Sequence, residues 1–297
     1  MSQRMRTRAK AAGVSAMVAA VVAGAVIIGP SSTATAVPVI SSSLLVGPGG
    51  QIDVPEGASY PEVSDDGRYV AFRSRDQIAP PAGSAATQLP GQDFDLFGGP
   101  TGDLFLLDTH STSATADDTL ELVNVDSNEV GGGFDAVLGD LTPSGSHVVF
   151  TSGSNDLVPG DTTPGNDTFL RDRVSGTTER ISVKSDGSQA GNVPPGNNLQ
   201  SSEPSVSDDG LVVTFASTTR SLAPEASPVT GDTWQTADIY VRDRTDPIAA
   251  NHTTTRLTVG AGGVKADGSS SAPLISPDGR YVYFTSSASN LVARPAP

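Results

Sequence analysis

The chain has 297 residues, with 18 Lys plus Arg against 33 Asp plus Glu, 32 Gly, 22 Pro and no cysteine. This length is ample for a sizeable core in one large β domain or two ordinary ones. The missing cysteines exclude disulfides, thiolate metal sites, a cysteine nucleophile and lipidation on cysteine, and the many glycines and prolines between short apolar runs favour turns over long helices.

The first ten residues carry Arg4, Arg6, Arg8 and Lys10 and no acid. An apolar stretch from Val14 to Ile28 follows, and then Ala34-Thr35-Ala36. A basic head, an apolar middle and an A-x-A ending predict an export signal over residues 1–36, cleaved after Ala36. The apolar stretch is shorter than the about 20 residues that a bilayer span needs, so membrane contact is expected only through an uncleaved signal. Residues 37–297 keep 14 basic and 33 acidic side chains, a formal charge of −19. Such a surface repels phosphate backbones and argues against nucleic acid as a partner.

Residues 37–57 form an N-terminal segment. Within it, Ser43-Leu-Leu-Val-Gly-Pro-Gly-Gly-Gln is similar to Ile181-Ser-Val-Lys-Ser-Asp-Gly-Ser-Gln further along, and so reads as a stray outer strand. From residue 58 to 297 the chain repeats itself, over 58–125, 134–183, 202–259 and a partial copy at 272–297. The anchoring strings are YPEVSDDGRYVAFRS from Tyr60, LGDLTPSGSHVVFTS from Leu138, SEPSVSDDGLVVTFAS from Ser202 and APLISPDGRYVYFTS from Ala272. Turn glycines Gly67, Gly145, Gly210 and Gly279 are each followed five residues later by Phe72, Phe150, Phe215 and Phe284. Self-similarity at this period outranks local propensity.

Each string predicts one strand, a polar turn closed by a glycine of positive φ, and a returning strand with apolar residues on both faces. Val70 and Phe72 fall on one side, Tyr69 and Ala71 on the other. A third strand follows at Asp103-Leu-Phe-Leu-Leu-Asp, Asp167-Thr-Phe-Leu-Arg-Asp and Asp238-Ile-Tyr-Val-Arg-Asp. A fourth follows at Leu120-Glu-Leu-Val, Glu179-Arg-Ile-Ser-Val and Thr255-Arg-Leu-Thr-Val. Strands apolar on both faces, four to a unit, fit units packed between neighbours.

The S-x-D-G-x-x-V-x-F string, joined to D-I-Y-V-x-D and R-L-T, resembles the WD40-like repeat of the TolB and PD40 propeller families. Its closest copies are Ser276-Pro-Asp-Gly-Arg-Tyr-Val-Tyr-Phe, Asp238-Ile-Tyr-Val-Arg-Asp and Thr255-Arg-Leu-Thr. The resemblance spans roughly residues 58–295 and implies an all-β fold, a propeller of four-stranded antiparallel blades with three full repeats and a half repeat. Three arrangements accommodate the half repeat: an irregular four-blade ring closed by the N-terminal strand, a truncated or split product, and completion by a second chain, including a homodimer. The superfamily includes a periplasmic scaffold that binds a lipoprotein, propeller domains of serine peptidases and many exported proteins. Within these residues no catalytic domain is expected beside the repeats.

Candidate chemistry is sparse. Asp65-Asp66, Asp208-Asp209 and Asp278 sit beside the turn glycines, where carboxylates accept backbone N–H bonds. Asn155, Asp156, Asp161 and Asp167 concentrate oxygen donors and are the candidate ligands for Ca2+, without EF-hand spacing; no other cofactor is expected. His110, His147 and His252 are far apart, and no serine elbow is present. Arg171-Asp172-Arg173 and Arg242-Asp243-Arg244 recur at the end of the third strand, where edge protection and turn electrostatics are expected of them. Trp234, the sole tryptophan, lies in the loop 224–236 and is the candidate contact for a partner. The leading expectation is an exported, non-catalytic scaffold or binding module of the cell envelope or medium, with a protein or glycan partner. A secreted hydrolase or lyase with its site in the propeller channel is the competing expectation, and a fragment without independent function is the third.

Overall fold

The computed structural model describes residues 44–47, 50–53, 59–74, 102–108, 119–162, 165–190, 199–223, 236–260 and 263–292. Among these the protein is all-β, with two short 3-10 turns at Arg220–Leu222 and Ala249–Asn251. None of the described helices is long and apolar enough to cross a membrane. The predicted signal and Trp234 lie outside the described residues.

Strands β1 (Leu44–Gly47) and β2 (Gly50–Asp53) come first. The first repeat forms β3 (Ser59–Val63), β4 (Tyr69–Ser74), β5 (Asp103–Asp108) and β6 (Thr119–Leu122). The second forms β7 (Ala136–Leu141), β8 (His147–Ser152), β9 (Gly165–Asp172) and β10 (Thr177–Arg180). The third forms β11 (Leu199–Val206), β12 (Val212–Ser217), β13 (Asp238–Asp243) and β14 (Thr253–Arg256). The fourth contributes β15 (Ser270–Ile275) and β16 (Val282–Ser286). Within each of the first three repeats the strands pair antiparallel in chain order. A two-residue parallel pairing, Leu199 with Gly165 and Gln200 with Asn166, also links the second sheet to the third.

Alternation on the returning strand explains how these sheets stack. The Tyr69, Ala71, Leu104 and Leu106 face of the first sheet shares a core with Val148, Phe150 and Phe169 of the second. On the other side of the second sheet, Val149 and Leu170 share a core with Val213, Phe215 and Tyr240 of the third. Both faces of the middle sheet are therefore buried. The recurring phenylalanine lies directly opposite an aromatic or near-equivalent residue of the third strand: Phe72 on Phe105, Phe150 on Phe169 and Phe215 on Tyr240. Their ring centroids are 5.7, 5.6 and 5.7 Å apart. An offset pair of this kind is worth about 0.5–1.5 kcal/mol beyond its buried area.

Each first strand carries a bulge. Register slips by one residue between Ser59 and Glu62, Leu138 and Asp140, Ser202 and Ser205, and Ser271 and Leu274. Pro61, Gly139, Pro204 and Pro273 occupy the bulges, as expected for residues that weaken or cannot join a ladder. Those residues were the available sequence signal for the bulges.

Two findings bear on the N-terminal segment and on the fourth repeat. The segment read as a stray outer strand folds back on itself, with Leu44 opposite Asp53 and Leu45 opposite Ile52. Among the described residues β16 pairs with β15 alone, so no sheet closes between the two ends. The two-sided burial predicted for the returning strand consequently fails in the fourth repeat, where Tyr281 and Tyr283 are 57% and 65% exposed.

Candidate functional site

The acidic turns are built from the fold's own hydrogen bonds. Ser64 Oγ donates to Asp66 Oδ1 at 2.6 Å, Arg68 N donates to the same oxygen at 2.9 Å, and Tyr69 N donates to Ser64 Oγ at 2.9 Å. Ser207 and Asp209 repeat this arrangement with Leu211 N and Val212 N, and Ser276 and Asp278 with Arg280 N and Tyr281 N. Donation from the Ser276 hydroxyl and the Arg280 amide holds the Asp278 carboxyl below its ordinary value. In the second repeat Thr142 Oγ1 accepts from His147 N at 3.0 Å instead. The glycines that close the turns have φ of 75°, 64°, 75° and 70°.

The same turns form the seam between successive sheets. The residue two positions after each turn glycine covers the turn glycine of the next repeat, Tyr69 over Gly145 and His147 over Gly210. Val212 covers Gly279 in the same way. Beside this stack, Arg173 donates to Gly145 O at 2.6 Å, pairs with Glu121 of the previous sheet and lies 5.1 Å from the Tyr69 ring centre. Arg244 does likewise one repeat later, donating to Gly210 O at 2.8 Å and pairing with Glu179 at 3.0 Å.

The preceding arginines also serve the seam. Arg171 and Arg242 are only 5% and 3% exposed. Arg171 donates to Asp126 O at 3.3 Å and pairs with Glu129, while Thr178 Oγ1 donates to Val125 O at 2.5 Å. Arg242 donates to Lys184 O at 3.1 Å and Thr254 Oγ1 to Val183 O at 2.6 Å. The strand-end arginines expected at exposed edges are therefore clamps between sheets, because each reaches back to the loop that leaves the previous sheet. On the first strands, Asp140 Oδ2 accepts from Ser205 Oγ at 2.8 Å and Val206 N at 3.1 Å, and Ser205 Oγ accepts from Ile275 N at 3.3 Å. Polar groups thus link three successive first strands.

The four Ca2+ candidates have different partners. Asn155 and Asp156 are exposed, and Asp156 accepts from Ser154 Oγ at 2.7 Å. Asp161 is buried, with Oδ1 2.7 Å from Arg180 Nη1. Asp167 lies 3.5 Å from the same nitrogen and accepts from Ser182 Oγ at 2.5 Å. The cation that gathers two of the three carboxylates is a guanidinium. The third repeat places Arg256 and Lys265 3.5 and 3.1 Å from Asp238 in the same way. Arg180 and Arg256, at matched positions of the fourth strand, were the signal for this pairing. Among the described residues no three His, Asp or Glu side chains form a group that could hold a metal ion.

Of the histidines, His110 lies outside the described residues, and His252 Nε2 is 3.0 Å from Asp246 O. His147 Nδ1 is 2.9 Å from Ser146 Oγ, and its Nε2 is 3.9 Å from Asp172 Oδ2. Burial pushes the His147 imidazole below its ordinary value, against the attraction of Asp172. Burial would raise Asp172, but hydrogen bonds from Ser175 and Val174 outweigh it and hold the carboxyl low. Sequence reading gave no reason to join these three residues, since Asp172 reaches His147 only across the β8–β9 pairing.

No family model and no curated protein matches the chain. Among solved structures it is similar to hydrazine synthase of Kuenenia stuttgartiensis at 14% identity and a TM-score of 0.36, covering 79% of this chain and 51% of that one. It is similar to the tricorn protease at 8% and 0.34, covering 68% and 16%. It is similar to the complex of KlAtg21 with the coiled coil of AgAtg16 at 11% and 0.37, covering 80% and 51%. The chain spans about half or less of these proteins. At such scores the likeness adds nothing to the sheets described above.

Proposed function

We propose that the chain is an exported β-propeller protein that acts by binding, as a scaffold for a protein or glycan of the cell envelope or medium. The observation that carries this reading is the seam. Three four-stranded meanders stack face to face, and Gly145, Gly210 and Gly279 each lie under a side chain of the preceding repeat. Repetition of one contact from sheet to sheet is how blades succeed one another in a propeller. The Ser and Asp of the turns and Arg171, Arg173, Arg242 and Arg244 are engaged in turns and seams, which leaves recognition to the loops and exposed strands. Export rests on the signal pattern of residues 1–36 and fits the acidic surface.

A binding screen of residues 37–297 against purified envelope proteins and polysaccharides, run beside ester, peptide and uronide substrates, tests the reading. Saturable binding without turnover supports it. Turnover abolished by a single side-chain substitution would replace it with the hydrolase or lyase reading. That second reading has one observation in its favour, the Ser146, His147 and Asp172 row. Its own test is labelling of Ser146 by a fluorophosphonate, with His147→Gln as the control.

A further inference from the structure

We propose that the free edge of β16 docks an extended segment of another polypeptide, one carrying the acid, any residue, aromatic, aliphatic, any residue, acid pattern of the repeat's own third strand. The proposal stands on pairing within the sheets.

In the first three repeats the strand equivalent to β16 is paired on both sides, and its second partner is always the third strand. Three positions of that pairing are constant. The serine that ends the strand faces the first aspartate: Ser74 opposite Asp103, Ser152 opposite Asp167 and Ser217 opposite Asp238. The phenylalanine faces the aromatic residue, and the residue that opens the strand faces the last aspartate, as Tyr69 faces Asp108. β16 and the residue just before it present the same row, Tyr281, Phe284 and Ser286, along an edge with no partner among the described residues.

Charge completes the match. In the first repeat Arg68 stacks 4.8 Å from the Tyr69 ring centre and binds Asp108 through both ends of its guanidinium, at 2.7 Å each. Arg280 stacks on Tyr281 in the same way, at 5.6 Å, and is exposed. It is poised for the last acid of an incoming strand, and bidentate pairing with a carboxylate gives geometric selectivity. The segment Val282–Ser286 carries no charge. Charged residues guard an edge against pairing, and an aromatic edge without them invites strand addition.

The test titrates the full chain with a labelled peptide covering Asp238–Arg256, which contains a third and a fourth strand. The expected result is saturable binding with new hydrogen-exchange protection at the Val282, Phe284 and Ser286 amides. Arg280→Glu should weaken it about tenfold or more, and a peptide bearing Asp243→Lys should bind that variant better than it binds the natural chain. Circular dichroism should show the exposed Arg280→Glu variant folded. Three results would overturn the proposal: no saturable binding, equal binding of a scrambled peptide, or no reciprocal effect of the charge swap. It also fails if the β16 amides are already protected without peptide, because the edge is then filled by the chain itself in a monomer or by a second copy in a dimer.

Discussion

The ring of Tyr69 lies so close over Gly145 that a methyl group on that glycine would come within 2.5 Å of Tyr69 Cγ. Gly145 also has φ of 64°. The glycine thus meets two demands at once, a left-handed turn within its own repeat and a flat surface for the previous one. His147 makes the same demand of Gly210, again at 2.5 Å.

Gly145→Ala and Gly210→Ala should each lower stability by more than the about 1 kcal/mol of left-handed strain alone. Gly160→Ala and Gly187→Ala separate the two effects. These glycines have φ of 75° and 78°, and an added Cβ would meet nothing within 4 Å. Denaturant midpoints should therefore fall further for the first pair than for the second, and equal losses would show that the seam contact contributes nothing.

Arg171→Met keeps an apolar stem of similar length but removes donation to Asp126 O and the pairing with Glu129. Glu129 is largely exposed, so solvent screens that pair and most of the loss comes from the buried hydrogen bonds. A destabilisation of about 1–3 kcal/mol is expected. Arg242→Met should behave similarly through Lys184 O. Because the partners belong to the previous sheet, hydrogen exchange should rise at residues 125–131 in the first variant and 183–189 in the second.

Asp161→Asn leaves Arg180 buried beside one weaker partner. A loss of about 3–5 kcal/mol is expected for breaking a buried ion pair by removing one member. Arg180→Met with Asp161→Leu should recover part of it, since an apolar replacement of both leaves no orphaned charge. Calorimetry of the three proteins, with and without Ca2+, measures this directly and shows whether a divalent cation can take the place of Arg180.

His147 gives the seam a pH dependence. Its folded value lies below 6.5, so between 6.5 and that lower value the unfolded chain holds more protons than the folded one. Stability rises with pH across such a window, and this contribution is lost as pH falls through it. His147→Tyr, which copies the residue at the matching position in the first and fourth repeats, should flatten that part of the acid limb. The comparison requires unfolding curves at several pH values between 4 and 8, and an unchanged limb would assign the acid sensitivity to other groups.

Legibility followed the range of the interactions. The Ser64–Asp66–Tyr69 turn closes within six residues, so its chemistry is present in any one copy of the repeat. The strand order was equally legible, because alternation on β4, β8 and β12 is a local period. Arg171 and Arg173 read as edge residues, since their partners Asp126, Glu129 and Glu121 lie 42 to 52 residues away. Asp161 and Asp167 read as metal ligands because nothing local says that Arg180 turns towards them.

The sequence by itself determined an all-β chain of repeated antiparallel strands, with glycines at its turns and a phenylalanine five residues after each turn glycine. These follow from φ restrictions and side-chain alternation, which act residue by residue. Only the tertiary structure decided which carboxylate meets which guanidinium, that Tyr69 and His147 cover the next repeat's glycine, and that Tyr281 is left exposed. Those outcomes depend on where one sheet lies against the next, a relation set by the summed packing of two faces and encoded at no single position.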